Sequence, residues 1–418
     1  MNLDSDVAQR RRISRRKFLG ALSSATLLTL LAGCGLRRPG PTPTPTRTPR
    51  TPRPTAAAVG MSTPSGTPIP RASASNTPAP GRTMTRPPTE LPTATPTPTA
   101  TPFPPGPPTK LGMFITRNDP RIFDLLSTGN VALISTMEHD SNFVAEIKQI
   151  SPHTILVGRI DLPQLDLGTL TDPAGAARAF ADQLLPLAAE PRRLAAFDAW
   201  QAYNEPVAND AEQMGRLAQF EAERTRLLAE AGVRSVIGNF GTGQPDLSLW
   251  PAFRPALEAA IEHDGYLGLH EYSAPTMQYG TPQDPLGWGT DPAQEGWLTL
   301  RYRKVYRQYL QPNGLELPLV LTEAGIDGMV ADRPGPPGKG WEDFGGYWDE
   351  LGMGSDAPGN YMEQLAWYDA SLQQDPYVRG AAIYAAAASP GWETYEILGE
   401  ERVEPFLRQY LSVHPTGA

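Results

Sequence analysis

From residue 110 onward, short runs of Val, Ile, Leu and Ala alternate with longer segments in which apolar positions recur at helical spacing. Short apolar runs separated by helical segments are typical of βα units, which assemble into a parallel sheet. The pattern predicts eight strands, at residues 111–116, 131–136, 154–159, 196–203, 235–240, 266–271, 317–323 and 380–386.

Helices are predicted after most of these strands, including residues 172–189, 210–231, 300–310 and 361–372. Eight such pairs within residues 110–418 fit a single (β/α)8 TIM barrel, which typically takes about 250 residues and often carries long loops after its strands. An open doubly wound sheet is the alternative architecture. It is disfavoured because residues 114–120, which follow the first strand, contain no glycine-rich phosphate-binding turn.

Residues 34–109 are dominated by Pro, Thr, Ser and Ala, with repeats such as Pro-Thr-Pro-Thr-Pro-Thr at 41–46. Proline fixes φ and lacks an amide donor, and the segment has few large apolar groups to bury. The composition predicts a disordered, extended linker that, at about 3 Å per residue, could span up to roughly 200 Å. A stiff stalk through a cell-wall layer and a merely permissive linker both fit this composition.

Residues 1–33 resemble a bacterial export signal. Residues 14–19 read Ser-Arg-Arg-Lys-Phe-Leu, as in twin-arginine signals, and an apolar stretch follows at 21–32. Residues 31–34, Leu-Ala-Gly-Cys, resemble the lipobox at which bacterial lipoproteins are cleaved and lipidated. We therefore predict export by the twin-arginine machinery and a lipid on Cys34 that anchors the protein at the outer face of the cell membrane. An uncleaved anchor is the alternative, although the apolar stretch is short for a bilayer span.

The predicted barrel region is acidic, with 22 Lys and Arg against 42 Asp and Glu after residue 109. Nucleic-acid binding depends on clustered Lys and Arg, so we expect no nucleic-acid partner. Cys34 is the only cysteine, and the five histidines form no His-x-His pattern at a predicted strand end. We therefore expect no disulfide within the chain, no metal site and no cofactor.

Glutamates stand at the ends of three predicted strands: Glu205 after the fourth, Glu271 at the sixth and Glu323 at the seventh. In a (β/α)8 barrel the catalytic residues lie at the C-terminal ends of the strands. Cleavage of a glycosidic bond needs one carboxylic acid to protonate the departing oxygen and one carboxylate to attack the anomeric carbon. Glu205 and Glu323 are the candidate pair, at a separation of about 5 Å. Glu271 is expected to face away from its strand neighbours and to form a structural salt bridge.

These strand ends resemble those of the clan of retaining (β/α)8 glycoside hydrolases that includes cellulases, mannanases and β-galactosidases. The resemblance covers the region after the linker. It is carried by residues 204–206 (Asn-Glu-Pro) at strand four, 270–272 (His-Glu-Tyr) at strand six and 322–325 (Thr-Glu-Ala-Gly) at strand seven.

The resemblance implies that Glu205 is the acid/base and that Glu323 is the nucleophile. It also implies that Asn204 contacts the sugar 2-hydroxyl and that Tyr272 donates a hydrogen bond to the nucleophile. His270, two residues before Tyr272, belongs to the same motif and is a candidate substrate-binding residue.

Many clan members carry a tryptophan at the end of strand eight, and this chain departs from that pattern. Tyr384 within the strand and Trp392 in the following loop are the candidate sugar platforms. The arginine that many members place near the nucleophile could be Arg159 or Arg117. A structural ion pair explains either arginine equally well.

The loop at 326–361 is rich in glycine and aromatic residues, and Trp341 within it is a candidate substrate contact. Aromatic faces stack on sugar rings and glycines allow movement, which predicts a lid. A loop pinned to the barrel rim by the same rings is the alternative.

The sequence thus predicts an exported glycosidase that hydrolyses a β-linked carbohydrate with retention of configuration. A non-catalytic carbohydrate-binding barrel tethered at the cell surface is the main alternative, and it accounts less easily for two inward glutamates. A structural protein without a ligand is disfavoured, because burying unneeded carboxylates costs several kcal/mol. A metal-dependent hydrolase is disfavoured by the scarcity of histidine.

Overall fold

The computed structural model describes residues 102–287 and 295–416. The predicted export signal at 1–33, Cys34 and all but the last few residues of the predicted linker lie outside the described residues. Within the described ranges, no helix combines the length and the apolar character that crossing a bilayer demands.

Eight parallel strands form a (β/α)8 barrel, as the sequence predicts. Each strand pairs with its neighbour in the chain, and the first also pairs with the eighth. The ring closes between the fourth and fifth strands through a bridge that joins Trp200 and Ser235. The strands are β1 Leu111–Ile115, β2 Leu133–Thr136, β3 Ile155–Gly158, β4 Ala199–Trp200, β5 Val236–Phe240, β6 Tyr266–Ser273, β7 Leu319–Ile326 and β8 Val378–Ala386.

The eight predicted strands are confirmed, but the prediction of 196–203 for the fourth was too long. Ala196 ends a short helix, and only Ala199 and Trp200 join the sheet. After Gln201 donates its amide to the carbonyl of Gly158, the chain leaves the ladder and turns across the barrel mouth. This early exit allows residues 204–206 to lie over the open end of the barrel.

Helices cover the outside of the barrel. They are α1 Ile122–Leu126, α2 Ser141–Ile150, α3 Pro173–Ala188, α4 Pro191–Ala196, α5 Ala211–Glu230, α6 Trp250–Glu262, α7 Tyr302–Val305, α8 Gly345–Glu350, α9 Ala357–Leu372 and α10 Glu404–Val413. A π-helical turn, Tyr306–Leu310, continues α7, so the helix predicted at 300–310 is present in altered form.

Aspartates fix where four of these helices begin. The carboxylates of Asp140, Asp172, Asp210 and Asp356 each accept a hydrogen bond from a backbone amide in the first turn of α2, α3, α5 and α9, respectively. Such caps satisfy amides that have no partner within the helix and are worth about 1 kcal/mol each. They also account for part of the acidic excess of the barrel sequence.

The core has two layers. Inside the barrel, alternate strand residues such as Phe114, Leu133, Val157 and Val320 are fully buried against one another. A larger apolar layer fills the space between the sheet and the helices. The filled interior makes the barrel a rigid base for the side chains that project from its strand ends.

The chain contacts the barrel before the predicted boundary at residue 110. The side chain of Gln409 on α10 binds both the amide and the carbonyl of Phe103, and the Phe103 ring packs edge-on against Tyr410. The amide of Gly106 donates to the carbonyl of Val413. These contacts lie beside the start of β1, so the chain enters the barrel at the face opposite the strand C-termini.

Candidate active site

The C-terminal ends of β3, β4, β6 and β7 bring together the charged residues that the sequence singles out. Arg159 directly follows β3, Glu205 follows β4, His270 and Tyr272 belong to β6, and Glu323 belongs to β7. The inward alternation of β6 directs both His270 and Tyr272 to the same side. All five converge at the mouth of the barrel.

The two candidate carboxylates meet across His270. Its Nδ1 lies 2.9 Å from Oε1 of Glu205 and 3.6 Å from Oε2 of Glu323. The nearest side-chain donor atoms of these three residues all lie within 4.8 Å of one another. Because carboxylate oxygens only accept hydrogen bonds, Nδ1 of His270 carries the proton that faces them.

Glu323 is buried and held at both oxygens. Arg159 donates from Nη1 to Oε1 at 2.5 Å, and the hydroxyl of Tyr272 donates to Oε2 at 2.7 Å. Burial alone would raise the pKa of Glu323. The electrostatic effects of His270 and Arg159, together with the Tyr272 hydrogen bond, outweigh burial and hold the pKa of Glu323 below its ordinary value. The site therefore keeps Glu323 ionised.

Tyr272 stays protonated and so remains a donor. Burial and the neighbouring carboxylate of Glu323 raise the pKa of Tyr272 well above its usual range. The hydroxyl can only donate to an ionised Glu323, and this fixes the orientation of the carboxylate.

Glu205 has a more open environment, with its side chain 41% exposed. Its φ of 43° lies in the left-handed region, which few non-glycine residues adopt outside functional sites. The Gln164 side chain donates to its carbonyl at 2.7 Å. Glycine at 241 leaves room for the carboxyl group, since a Cβ there would lie 3.1 Å from its carbon atom. Two glutamates thus occupy one mouth in different surroundings, one enclosed and one facing solvent.

Arg159 links the two motifs at the barrel mouth. The Nη1 atom that binds Glu323 also lies 2.5 Å from Oδ1 of Asn204, and the guanidinium sits over the Phe114 ring. Arg159 occupies one acceptor position of the Asn204 oxygen, and the N–H donors of Asn204 remain available to a ligand. The sequence identified Arg159 only as one of two candidates. Arg117, the other, lies at the rim and pairs with Asp119.

Tyr384 and Trp392 extend the mouth towards β8. The Tyr384 ring lies 6.1 Å from that of Tyr272 and 5.8 Å from that of Trp392. Burial raises the pKa of Tyr384, and the charge of Glu323 adds to this effect. The two candidate platforms therefore form a continuous aromatic path that leads away from Glu323.

The structure does not bring Trp341 to this path. Its side chain is 2% exposed, stacks on Tyr361 and donates from Nε1 to the carbonyl of Glu396. Phe344 and Trp348 in the same loop are also buried. The faces of these rings are used in packing. In this structure the loop therefore matches the alternative prediction, a loop pinned to the barrel rim by its aromatic rings.

The backbone geometry at residue 325, two positions after Glu323, requires a glycine. Its φ is 145°, in the region that favours glycine, and a Cβ there would lie 2.7 Å from the Tyr361 hydroxyl. The same hydroxyl oxygen accepts a hydrogen bond from the backbone amide of Ile326 at 3.3 Å. This close approach anchors the end of β7 directly beyond Glu323.

Glu271 points away from the mouth, as strand alternation predicts, but hydrogen bonds hold it in place of the predicted salt bridge. Its carboxylate accepts from the amides of Leu300 and Tyr302 and from the hydroxyl of Tyr368. Burial raises the pKa of Glu271 to about 7. The residue ties β6 to the start of α7 and so supports the two site residues that flank it.

A groove of about 510 Å³ opens beside Glu205. It is lined by residues from the loops after β3, β4, β5 and β7, among them Gln164, Thr242 and Asp327. No sequence motif singled out these three residues, although Asp327 directly follows β7 and its position at a strand end was a usable signal. A cavity of about 620 Å³ at the other end of the barrel is lined by Arg234, Asp264 and Glu316 among others. In barrels of this type that face serves stability rather than catalysis.

Glu205, His270 and Glu323 are donor types that could hold a divalent metal ion. Arg159 already supplies a positive charge in contact with Glu323, and a cation between the three side chains would face that charge. The site chemistry therefore fits an ion-paired carboxylate better than a metal ligand.

No protein-family model matches the chain, and no curated protein matches it. Glycoside hydrolases are among the solved structures that resemble it. A GH128 (subgroup II) endo-β-1,3-glucanase from Sorangium cellulosum is 16% identical, with 74% of this chain and 100% of that one covered at a TM-score of 0.42. A β-D-glucuronidase from Dictyoglomus thermophilum is 13% identical, with 74% and 52% covered at 0.45. Scores this low support no inference about activity, which rests on the site.

Proposed function

We propose that the protein hydrolyses a β-linked glycoside with retention of configuration. The observation that carries the proposal is the meeting of Glu205 and Glu323 across His270, with their nearest oxygens within 4.8 Å. Retaining glycosidases place their carboxyl groups about 5–5.5 Å apart, whereas inverting enzymes need about 6.5–9.5 Å to admit a water molecule. The spacing therefore favours direct attack by one carboxylate.

Glu323 is the proposed nucleophile. Its lowered pKa keeps it ionised, and Arg159 and Tyr272 fix both of its oxygens. In the first step a Glu323 oxygen bonds to the anomeric carbon while the bond to the leaving oxygen breaks. Loss of negative charge on the carboxylate accompanies this step.

Glu205 is the proposed acid/base. In the first step its carboxyl proton passes to the departing glycosidic oxygen, and in the second step its carboxylate takes a proton from water. That water attacks the anomeric carbon and releases Glu323. The half-open position of Glu205 at the groove suits both steps, because the leaving group exits and water enters on that side.

The remaining predicted residues have proposed roles in binding. Asn204 presents its amide N–H to a sugar hydroxyl, and its oxygen binds Arg159. Tyr384 and Trp392 offer aromatic surface along the path from Glu323. Trp341 would need a rearrangement of its loop to reach a sugar.

A panel of aryl β-glycosides and soluble polysaccharides tests the proposed function. We expect turnover of at least one substrate by the full chain and its loss in Glu323→Gln. Glu212→Gln, which changes a 77% exposed glutamate on α5, is the matched control and should be fully active. Proton NMR of the first product should show the β-anomer. Turnover that survives Glu323→Gln, or an α-anomer formed first, would contradict the proposal.

We also propose that the protein is exported and anchored by a lipid on Cys34, with residues 34–109 as a stalk. The sequence features at 14–19 and 31–34 support this proposal. The described end of this segment, at Phe103 and Gly106, contacts α10 beside the start of β1. Mass analysis of the mature N-terminus tests the anchor, and residues 1–33 still attached would contradict it.

A further inference from the structure

Acidic side chains line the groove beside Glu205. Glu205 and Asp327 line it, and no Lys, Arg or His is among its lining residues. The nearby Arg333 points into its own loop, where it donates to the carbonyls of Gly328 and Pro336 and covers the Phe344 ring. A ligand in this groove therefore meets two carboxyl groups and no lining cation.

Asp327 is held rigidly. Its Oδ1 accepts from the amide of Met329 at 2.8 Å and from the hydroxyl of Tyr395 at 2.8 Å. Both of these hydrogen bonds go to one oxygen, which leaves Oδ2 as an acceptor for a ligand in the groove that Asp327 lines. A fixed acceptor loses little conformational entropy when it binds a hydroxyl.

The position of the groove assigns it to the leaving group. Glu205 lines the groove, while Glu323, 6% exposed, is not among its lining residues. The acid/base lies on the side from which the departing oxygen leaves. This assignment rests on the proposed function.

Two apolar side chains complete the groove. Val207 and Met329 are 53% and 54% exposed and lie among its lining residues. Exposed apolar groups next to a polar acceptor suit a sugar ring, which has apolar C–H faces and hydroxyls at its edge.

We propose that Asp327 is a specificity-determining residue of a leaving-group subsite that takes an uncharged sugar and rejects a uronic acid. A neutral sugar donates a hydroxyl hydrogen to Oδ2 of Asp327. A uronate carboxylate in the same place faces the negative charge of Asp327 without a lining cation to balance it.

Binding to the full chain tests this assignment at neutral pH. The probes are methyl β-D-glucopyranoside and its uronic acid counterpart, methyl β-D-glucopyranosiduronate, followed by ligand-observed NMR. Wild-type protein should bind the neutral probe at least about tenfold more tightly, since like charges a few ångströms apart repel strongly in a partly buried site. In Asp327→Asn this preference should fall to about threefold or less, mainly through tighter binding of the uronate.

Asp332→Asn is the matched control, because it removes one negative charge from an exposed position in the same loop. Tyr395→Phe removes a hydrogen bond to Oδ1 of Asp327 but keeps its charge. Both controls should retain the wild-type preference. Equal binding of the two probes to wild-type protein, including no binding of either, would overturn the assignment, as would the same shift in Asp332→Asn. Aryl-glycoside turnover, measured separately, reports on the proposed function alone.

Discussion

Arg159 lies 2.5 Å from the carboxylate of Glu323, and the side chains of both residues are almost closed to solvent. An ion pair in such a place contributes less to stability than its short distance suggests, because both charges have lost their hydration. Its consequence is chemical. The pair keeps the carboxylate of Glu323, the proposed nucleophile, charged in a setting where burial would otherwise raise its pKa.

Removal of Arg159 should affect stability and activity together. Arg159→Ala leaves Glu323 buried without its partner, so we expect a loss of about 3–5 kcal/mol in the free energy of unfolding. The pKa of Glu323 should rise, and the acidic limb of the kcat/KM profile should move to higher pH. Urea unfolding and pH profiles measure the two effects.

A surface arginine provides the control for this prediction. Arg254 pairs with Glu258 at 2.7 Å, and their side chains are 46% and 52% exposed. Arg254→Ala should cost less than about 1 kcal/mol, since exposed pairs are screened by water. Equal losses in the two variants would show that the Arg159 pair has no special burial effect.

Tyr272→Phe should weaken Glu323, the proposed nucleophile, without unfolding the barrel. The variant removes only the hydroxyl that donates to Oε2 of Glu323 at 2.7 Å. A hydrogen bond to a charged group is worth about 1.5–3 kcal/mol, so we expect kcat/KM to fall roughly tenfold to a hundredfold. The acidic limb should again move to higher pH, because the hydrogen bond favours the ionised form. An unchanged profile would place Tyr272 outside the mechanism.

Glu271 should make the folded state less stable as pH rises. Its pKa is about 7 when folded, against an ordinary value of 4.5. Between these two values the unfolded chain releases the proton first, so it binds fewer protons and stability falls with increasing pH. The loss by neutral pH is up to about 3 kcal/mol.

Glu271→Gln cannot ionise, so this decline in stability should disappear from the variant. Urea unfolding across the same pH range measures it, and the exposed change Glu212→Gln should leave the wild-type slope intact. An identical slope in wild type and Glu271→Gln would assign the pH dependence to other groups.

The sequence predicted the barrel well because strand burial is a local property of the chain. Each of the eight apolar runs became a strand, since a parallel strand covered on both faces must be apolar along its length. The fourth run was misjudged at both ends. An apolar run does not reveal where a strand leaves the sheet, and the turn that carries Glu205 depends on contacts with Asn239 and Gln164.

The sequence identified the site residues that stand in motifs at strand ends. It did not identify contacts between residues that lie far apart in the chain. Glu205, Glu323, His270 and Tyr272 follow from their strand positions. The contact of Arg159 with Glu323 joins residues 164 positions apart, and no local pattern specifies it. The sequence of a loop does not show whether an aromatic residue in it faces a ligand or the core. In this structure Trp341 faces the core.

Azide rescue tests the opposed roles of Glu205 and Glu323 most directly. An aryl β-glycoside that the wild-type protein cleaves is supplied with sodium azide to Glu205→Ala and to Glu323→Ala, and the glycosyl azide products are identified by NMR. In Glu205→Ala the covalent intermediate still forms and azide displaces it, so the product should be the β-azide. In Glu323→Ala azide takes the place of the missing carboxylate and attacks the substrate directly, so the product should be the α-azide. Azides of the same configuration from both variants would contradict the assignment of acid/base and nucleophile to these two residues.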